Sequence, residues 1–142
     1  MNRKLKTILI PVDGSPQADE AVRSLQAFSS PNRILLLHCF AIPQLAYPGT
    51  GMSVGREFAE AAEQKLREEG SRILKRAASQ LPAVCGEVSQ HLEVGDTASV
   101  ILSMAEQESV DLILMGSRGL GVIKEHLLGS VSHRVATHAA CP

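Results

Sequence analysis

Glycine and hydroxyl residues are concentrated in residues 111–132 of the sequence, next to two predicted structural elements. The apolar run at residues 111–115 predicts a buried strand, which Gly116 closes. Apolar residues at helical spacing within residues 131–139 predict a helix that begins near Ser130 and exposes its first N–H groups. Because glycine lets a phosphate approach the main chain without meeting a Cβ atom, this pattern predicts a site for a phosphorylated ligand.

Two common phosphate-binding motifs do not match this stretch. Gly116 and Gly121 have the separation found in a Walker loop, but Val122 and Ile123 follow where that motif needs a lysine and a hydroxyl residue. The glycines also do not fit the dinucleotide fingerprint G-x-G-x-x-G. A nucleotide site in this chain must therefore be of another type.

The rest of the sequence predicts the strands that position this site. Apolar runs at residues 6–12 and 34–40 predict two further buried strands, and the alternating pattern at residues 87–94 predicts an edge strand with one wet face. Strands that alternate with helices predict right-handed crossovers. The expected fold class is α/β, a doubly wound parallel sheet in an open sandwich with helices on both faces.

Helices are predicted after each of these strands. Ser15 is expected to cap the first helix, apolar residues within 58–77 mark a long second helix, and Asp96 or Thr97 caps the third. Residues 41–55 are rich in glycine and proline and lack periodicity, so they predict a long loop that acts as a lid.

The spacing of Gly116, Gly119, Gly129 and Ser130, with two and then nine residues between the glycines, resembles the ATP-binding signature of the universal stress protein family. Asp13, the Leu37–His38 pair and the turn at residues 94–96 also lie where that family places similar residues. The resemblance covers nearly the whole chain. It implies the strand order 3-2-1-4-5, with the ligand between the first and fourth strands.

The end of the sequence departs from this family. Relatives usually continue past a Cys-Pro pair such as Cys141–Pro142 into a fifth strand that often joins two subunits, but this sequence stops at Pro142. We therefore expect the order 3-2-1-4 without a fifth strand, and a fourth strand whose edge has unpaired backbone groups. A homodimer is expected from the resemblance, through an interface that the sequence does not identify.

The resemblance also implies which residues contact the phosphates. The main chain of Gly119, Gly129, Ser130 and Val131 would hold them, and the Ser132 hydroxyl would add a donor. From its charge and its place in the loop, Arg118 is a candidate to neutralise the phosphates, as is Lys124, for which a solvated surface role is equally plausible. The alternative is that the glycines form only a tight turn and a helix cap.

The implied adenosine side of the site comes from the first two strands and from Gly116. Gly116 would lie against the ribose, and Asp13 would lie near the adenine and the ribose. Pro11 and Val12 would line the side of the pocket that holds the base. Cys39 would present its main chain to the adenine edge, while its side chain is read as core. For Asp13 the alternative is an aspartate that only shapes a turn.

Composition limits the other classes of function. With 142 residues and 44% hydrophobic residues the chain is expected to form one domain, residues 1–142, with a full core. A net charge of −1 without long charge runs does not favour nucleic acid or membrane partners, and three cysteines without a C-x-x-C pair argue against a disulfide framework or a zinc site. We expect a cytoplasmic protein.

The leading functional hypothesis is a cytosolic ATP-binding stress-response or regulatory protein in which the nucleotide is a conformational ligand, with slow or no hydrolysis. The expected ligand is ATP, ADP or AMP, bound either with or without Mg²⁺. Ser117 lacks a G-x-S-x-G context and an evident base, and no Walker-type acid is apparent, so binding is favoured over catalysis. Two alternatives stay open: a slow ATPase or adenylyl hydrolase, and a nucleotide-free interaction module.

Overall fold

The structure is a computed structural model that describes residues 5–28, 30–42, 54–83, 86–117 and 129–142. Most of the predicted lid, residues 43–53, lies outside the described residues. Strands and helices alternate along the chain, with a 3-10 turn (Leu25–Ala27) after the first helix. In order they are β1 (Thr7–Pro11), α1 (Pro16–Ser24), β2 (Arg33–Phe40), α2 (Val54–Ser79), β3 (Glu87–Val94), α3 (Thr97–Gln107), β4 (Leu112–Ile113) and α4 (Ser130–His138).

The four strands form one parallel sheet in the order β3-β2-β1-β4, which confirms the predicted fold class. Pro11 pairs with Leu37 across β1 and β2, and Ile8 pairs with Leu112 across β1 and β4. The chain extends from β1 through β2 to β3 on one side, and β4 adds on the other side of β1. The strand order therefore reverses between β1 and β4, where parallel sheets place their ligands.

Alternate residues of the central strands build two cores, one on each face of the sheet. Ile10 and Leu36 pack with Val22 of α1 and Leu74 of α2. On the other face, the odd-numbered residues Leu9, Leu35 and Leu37 pack with α3 and α4. This period of two explains why both central strands are apolar at nearly every position.

The fourth strand differs from the sequence prediction in burial and in pairing. Leu112 and Ile113 are half-buried, and β1 is the one strand that pairs with β4 among the described residues. The Ile113 N–H donates to the Pro142 carbonyl (2.8 Å) on the outer side of β4. The expectation of an unpaired edge is therefore wrong at Ile113. The other predicted edge, β3, is confirmed.

The long helix α2 packs on the sheet through its C-terminal half. Leu74 and Ala77 are buried, whereas Phe58, which the apolar spacing placed on the core side, is 69% exposed. Gly70 is buried where α2 meets β2 and β3, since a Cβ atom there would lie 2.8 Å from the His38 ring and 2.5 Å from Leu92 Cδ1. Glycine lowers the helix propensity at this position, but its missing side chain lets α2 approach the sheet.

The start of α1 follows the predicted capping pattern. The Ser15 hydroxyl accepts a hydrogen bond from the Ala18 N–H (3.2 Å), and Pro16 occupies the first helical position. Asp19, which is nearly buried, pairs with Arg76 of α2. This pair fixes the two helices of one face to each other. The helix α1 ends at Ser24, where the chain tightens into the 3-10 turn.

Candidate functional site

The candidate site is the crevice at the carboxyl ends of β1 and β4. The Leu114 N–H donates to the Leu9 carbonyl (2.9 Å), so the two strands run side by side up to this end of the sheet. The residues that follow them are Val12 and Asp13 after β1, and Gly116 after β4. Most of the predicted site residues that the structure describes belong to this edge of the sheet or to the start of α4.

Two hydrogen bonds hold the beginning of α4 against the end of β4. The Ser132 hydroxyl donates to the Gly116 carbonyl (2.8 Å), and the Gly129 N–H donates to the Ser117 carbonyl (2.7 Å). Ser132 is buried, with 8% of its surface exposed. The predicted phosphate residues and Gly116 are therefore adjacent in the fold as well as in the sequence pattern.

The N-terminus of α4 has the properties of an anion site. Gly129 is the N-cap, and it makes no side-chain capping bond because it has no side chain. The first helical bond runs from the His133 N–H to the Gly129 carbonyl (2.9 Å). Helical geometry leaves the N–H groups of Ser130, Val131 and Ser132 without an intrahelical acceptor, at the positive end of the helix dipole. A phosphate is a suitable partner for such a set of donors.

The Ser132 hydroxyl has a structural partner of its own. A hydroxyl carries a single proton, and that of Ser132 is donated to Gly116. The exposed Ser130 hydroxyl is the one that solvent reaches at the helix start. A phosphate contact from the Ser132 hydroxyl stays a prediction. In this arrangement, the main-chain N–H of Ser132 is the group that can donate a hydrogen bond to a phosphate.

Gly116 has a packing role that the sequence does not reveal. A Cβ atom at this position would lie 2.9 Å from Gln17 Cβ and 3.0 Å from the Gln17 carbonyl carbon. The first turn of α1 thus abuts the end of β4. The predicted contact of Gly116 with a ribose stays a prediction, because close packing alone explains the glycine.

The end of β1 is held by hydrogen bonds to β2. The Val12 N–H donates to the Leu37 carbonyl, and His38 Nδ1 lies 2.8 Å from the Val12 carbonyl oxygen. The Val12 side chain is buried among the core residues of the α1 and α2 face, while Pro11 is half-buried. A base wall made of Pro11 and Val12 stays a prediction.

Asp13 directly follows Val12 and shapes the loop that leads into α1. Its Oδ1 accepts the Ser15 N–H (2.9 Å), the bond expected of a turn-forming aspartate. This bond orients the carboxylate at the crevice and at the same time positions the Ser15 cap. A contact with adenine or ribose stays a prediction beside the turn role.

Cys39 offers its main chain rather than its thiol. Burial, with added repulsion from Glu93 and Asp96, raises the pKa of the Cys39 thiol to about 12, so it is protonated and unreactive at neutral pH. Since Leu37 bonds to β1 and Phe40 accepts the Gly95 N–H on the β3 side, alternation directs the N–H and C=O of Cys39 towards the β1 side. There β1 has already ended, and the crevice begins.

A cluster of polar groups that sequence reasoning missed joins α3 to α4 at the same end of the sheet. Asp96 caps α3, and its carboxylate accepts the Ser99 N–H (3.1 Å), the Ser99 hydroxyl (2.6 Å) and a guanidinium nitrogen of Arg134 (2.9 Å). The hydrogen bonds from Ser99, followed by Arg134, lower the pKa of Asp96. The capping pattern signals Asp96, but no local spacing signals Arg134, which is distant in the sequence.

Three predicted phosphate-side residues, Arg118, Gly119 and Lys124, lie outside the described residues. Within the described ranges, no group of three or more His, Cys, Asp or Glu side chains is arranged to hold a metal ion. In the same ranges, no helix combines the length and apolarity needed to cross a membrane.

Comparison with known proteins gives a consistent result along the whole chain. The model of the universal stress protein family matches residues 4–142. A universal stress protein of Thermus aquaticus is 35% identical over 139 residues, which cover 96% of this chain and 95% of that protein. One of Methanocaldococcus jannaschii is 33% identical over 147 residues, with 95% of this chain and 90% of that protein covered.

Solved structures agree with this result. The structure of the Methanocaldococcus jannaschii protein superimposes with a TM-score of 0.82 at 31% identity and covers 99% of this chain and 94% of its own. A family member from Arabidopsis thaliana, solved with AMP bound, has a TM-score of 0.62 at 21% identity, with coverage of 96% and 88%. At that identity the second comparison supports the fold alone.

Proposed function

The chain belongs to the universal stress protein family, and on that premise we propose that it binds an adenine nucleotide, ATP in the first place, in the crevice between β1 and β4. The observation that carries the proposal is the start of α4, whose first N–H groups lack an intrahelical acceptor and are fixed beside the end of β4 by the bonds from Ser132 and Gly129. A pre-formed set of donors at the switch point of a parallel sheet suits a phosphorylated ligand.

The phosphates would bind at the main chain of Gly129, Ser130 and Val131. The missing side chain at Gly129 allows a phosphate oxygen to come within hydrogen-bond distance of the Ser130 and Val131 N–H groups, while the Gly129 N–H stays bonded to the Ser117 carbonyl. Gly119 completes the phosphate side in this proposal by family resemblance, Arg118 by its charge and its place in the loop, and the Ser132 N–H by its position in the first helical turn.

The nucleoside would lie across the carboxyl ends of β1 and β2. The main chain of Cys39 faces the space beyond the end of β1, so its N–H and C=O suit the donor and acceptor edge of adenine. Asp13 would meet the ribose, with Pro11 and Val12 beside the base and Gly116, which follows β4, on the opposite side of the crevice. The relative from Arabidopsis thaliana, which shares the fold, was solved with AMP bound, and the proposal takes the same ligand class for this chain.

The proposed role of the nucleotide is that of a conformational ligand in a cytoplasmic stress-response or regulatory protein, with slow or no hydrolysis. A nucleotide in this crevice would contact β1, β2 and α4 together. Asp13 connects the crevice to the cap of α1, and the Arg134–Asp96 pair connects α4 to α3. A ligand with contacts to several elements shifts the population towards the state in which they are assembled. We expect that assembled state to form a homodimer.

Isothermal titration calorimetry with ATP, ADP, AMP and inorganic tripolyphosphate tests the binding proposal. Gly129→Val places a branched side chain at the phosphate position, so ATP affinity should fall at least about tenfold, equivalent to about 1.4 kcal/mol. Asp13→Ala should weaken ATP more than tripolyphosphate, because only the nucleotide has a ribose. Unchanged ATP affinity in Gly129→Val removes phosphate binding at α4 from the proposal.

A single-turnover assay with ATP tests the conformational role. We expect no product on the time scale of binding, with and without Mg²⁺. Turnover of about 1 per second or faster would instead identify an enzyme.

A further inference from the structure

His38 holds the end of β1 from the neighbouring strand. Its Nδ1 lies 2.8 Å from the carbonyl oxygen of Val12, the last residue before Asp13. A carbonyl oxygen can only accept a hydrogen bond, so the proton of this bond belongs to Nδ1. The Val12 N–H is already bonded to the Leu37 carbonyl, and the peptide groups on both sides of Val12 are therefore anchored to β2.

The side chain of His38 acts where a sheet would normally use the main chain. In a regular parallel sheet, the bond from the Val12 N–H to Leu37 would be followed by a bond from the Cys39 N–H to the Val12 carbonyl. The strand register directs the Cys39 N–H to this side. The imidazole reaches that carbonyl from the α2 face of the sheet instead. This arrangement satisfies the end of β1 and leaves the Cys39 N–H directed at the crevice.

The neighbouring helix is shaped around the imidazole. A Cβ atom at Gly70 of α2 would lie 2.8 Å from His38 Cδ2 and 3.5 Å from Nε2. The contact with Cδ2 is too close for a real side chain, so glycine at this position lets the ring lie between α2 and the end of β1. The ring orientation is therefore fixed by packing as well as by its hydrogen bond.

We propose that His38 is a positioning residue for the adenosine side of the site. By binding the Val12 carbonyl through Nδ1–H, it fixes the Val12–Asp13 peptide and keeps the Cys39 main chain available to the base. This inference rests on the proposed function, and it adds a residue that touches neither the phosphates nor the base.

The test uses two variants with matched shapes. His38→Leu and His38→Asn both lose the ring, but asparagine places an amide donor on the same carbon that carries Nδ1 in histidine, whereas leucine places a methyl group there. His91→Leu is the control, because His91 is also half-buried but bonds to Ser89 on the edge strand β3. Affinities for ATP and for inorganic tripolyphosphate are measured on the folded proteins by calorimetry.

We expect His38→Leu to lose about fivefold or more in ATP affinity, the value of one hydrogen bond, with little change for tripolyphosphate. His38→Asn should recover most of the ATP affinity, and His91→Leu should bind both ligands as the wild type does. A merely structural role would lower both affinities together. If His38→Leu binds ATP as tightly as the wild type, the inference is wrong while the proposed function stands.

A second measurement needs no variant and no ligand. Nitrogen-15 chemical shifts of the His38 ring in the wild-type protein report which nitrogen carries hydrogen, and we expect hydrogen on Nδ1. A ring with hydrogen on Nε2 alone would overturn the inference even if His38→Leu fails to fold. Wild-type protein that binds no ATP would overturn the proposed function, and this inference with it.

Discussion

Substitution of Gly129 by serine tests whether the glycine is needed for ligand binding or for the stability of the fold. The backbone at Gly129 has φ −65° and ψ 161°, an extended conformation that serine adopts without strain. Serine is also a preferred N-cap, and glycine is worse there by roughly a few tenths of a kcal/mol. In the absence of nucleotide, Gly129→Ser should therefore leave the free energy of unfolding unchanged or raise it slightly.

The same substitution should weaken ATP binding. Its Cβ and hydroxyl occupy the space through which a phosphate would reach the first N–H groups of α4, and the hydroxyl competes for one of those donors. A hydrogen bond to a charged group is worth roughly 1.5–3 kcal/mol, so the loss of one such contact lowers the affinity about tenfold to a hundredfold.

Urea unfolding and calorimetric titration with ATP measure the two quantities. Gly129→Ala is the matched control, since it adds the Cβ atom without the capping oxygen. It should lose ATP affinity as Gly129→Ser does, but it should be the less stable of the two because alanine is a poor N-cap. Two variants with wild-type ATP affinity would refute the idea that a phosphate approaches the main chain at Gly129.

Three further predictions concern other positions. Gly116→Ala should lower the free energy of unfolding by about 1–3 kcal/mol without ligand, because its Cβ would meet the main chain of α1; unchanged urea unfolding would contradict this packing role. Gly70→Ala should not raise the free energy of unfolding by the roughly 1 kcal/mol expected from helix propensity, because its Cβ would meet the His38 ring. The substitution Ala61→Gly at an exposed position of the same helix measures that propensity for comparison. Folding raises the pKa of the Cys39 thiol from 9.0 to about 12, so between these pH values the unfolded thiol ionises while the folded one keeps its proton. The free energy of unfolding should therefore fall as the pH rises through this interval. In urea unfolding, the free energy of Cys39→Ala should depend less steeply on pH, and an equal slope for both proteins would contradict the shift.

The sequence predicted the architecture because its strongest signals are local. The continuous apolar runs of β1 and β2 and the alternating pattern of β3 gave three strands within about one residue of their bounds. The start of α4 at Ser130 and the cap of α3 by Asp96 also follow from short-range rules. The fourth strand is shorter than predicted, with ladder pairing to β1 at Leu112 and Ile113.

Contacts between distant elements were not predictable from spacing. Nothing local distinguishes Gly70, which leaves room for His38, from a glycine that only weakens its helix. Gly116 matched a ligand signature, but its contact with the first turn of α1 depends on how two strand-to-helix units pack together. The Arg134–Asp96 pair joins two helices through residues far apart in the chain. Such roles arise from tertiary packing.

The most direct test of the account is a titration of isotope-labelled wild-type protein with ATP, followed through its backbone amide resonances. We expect saturable shifts that are largest at Gly129, Ser130, Val131 and Cys39, with small changes along the distant β3 edge near Val88. No saturable shift, or shifts concentrated on β3, would contradict nucleotide binding in the crevice between β1 and β4.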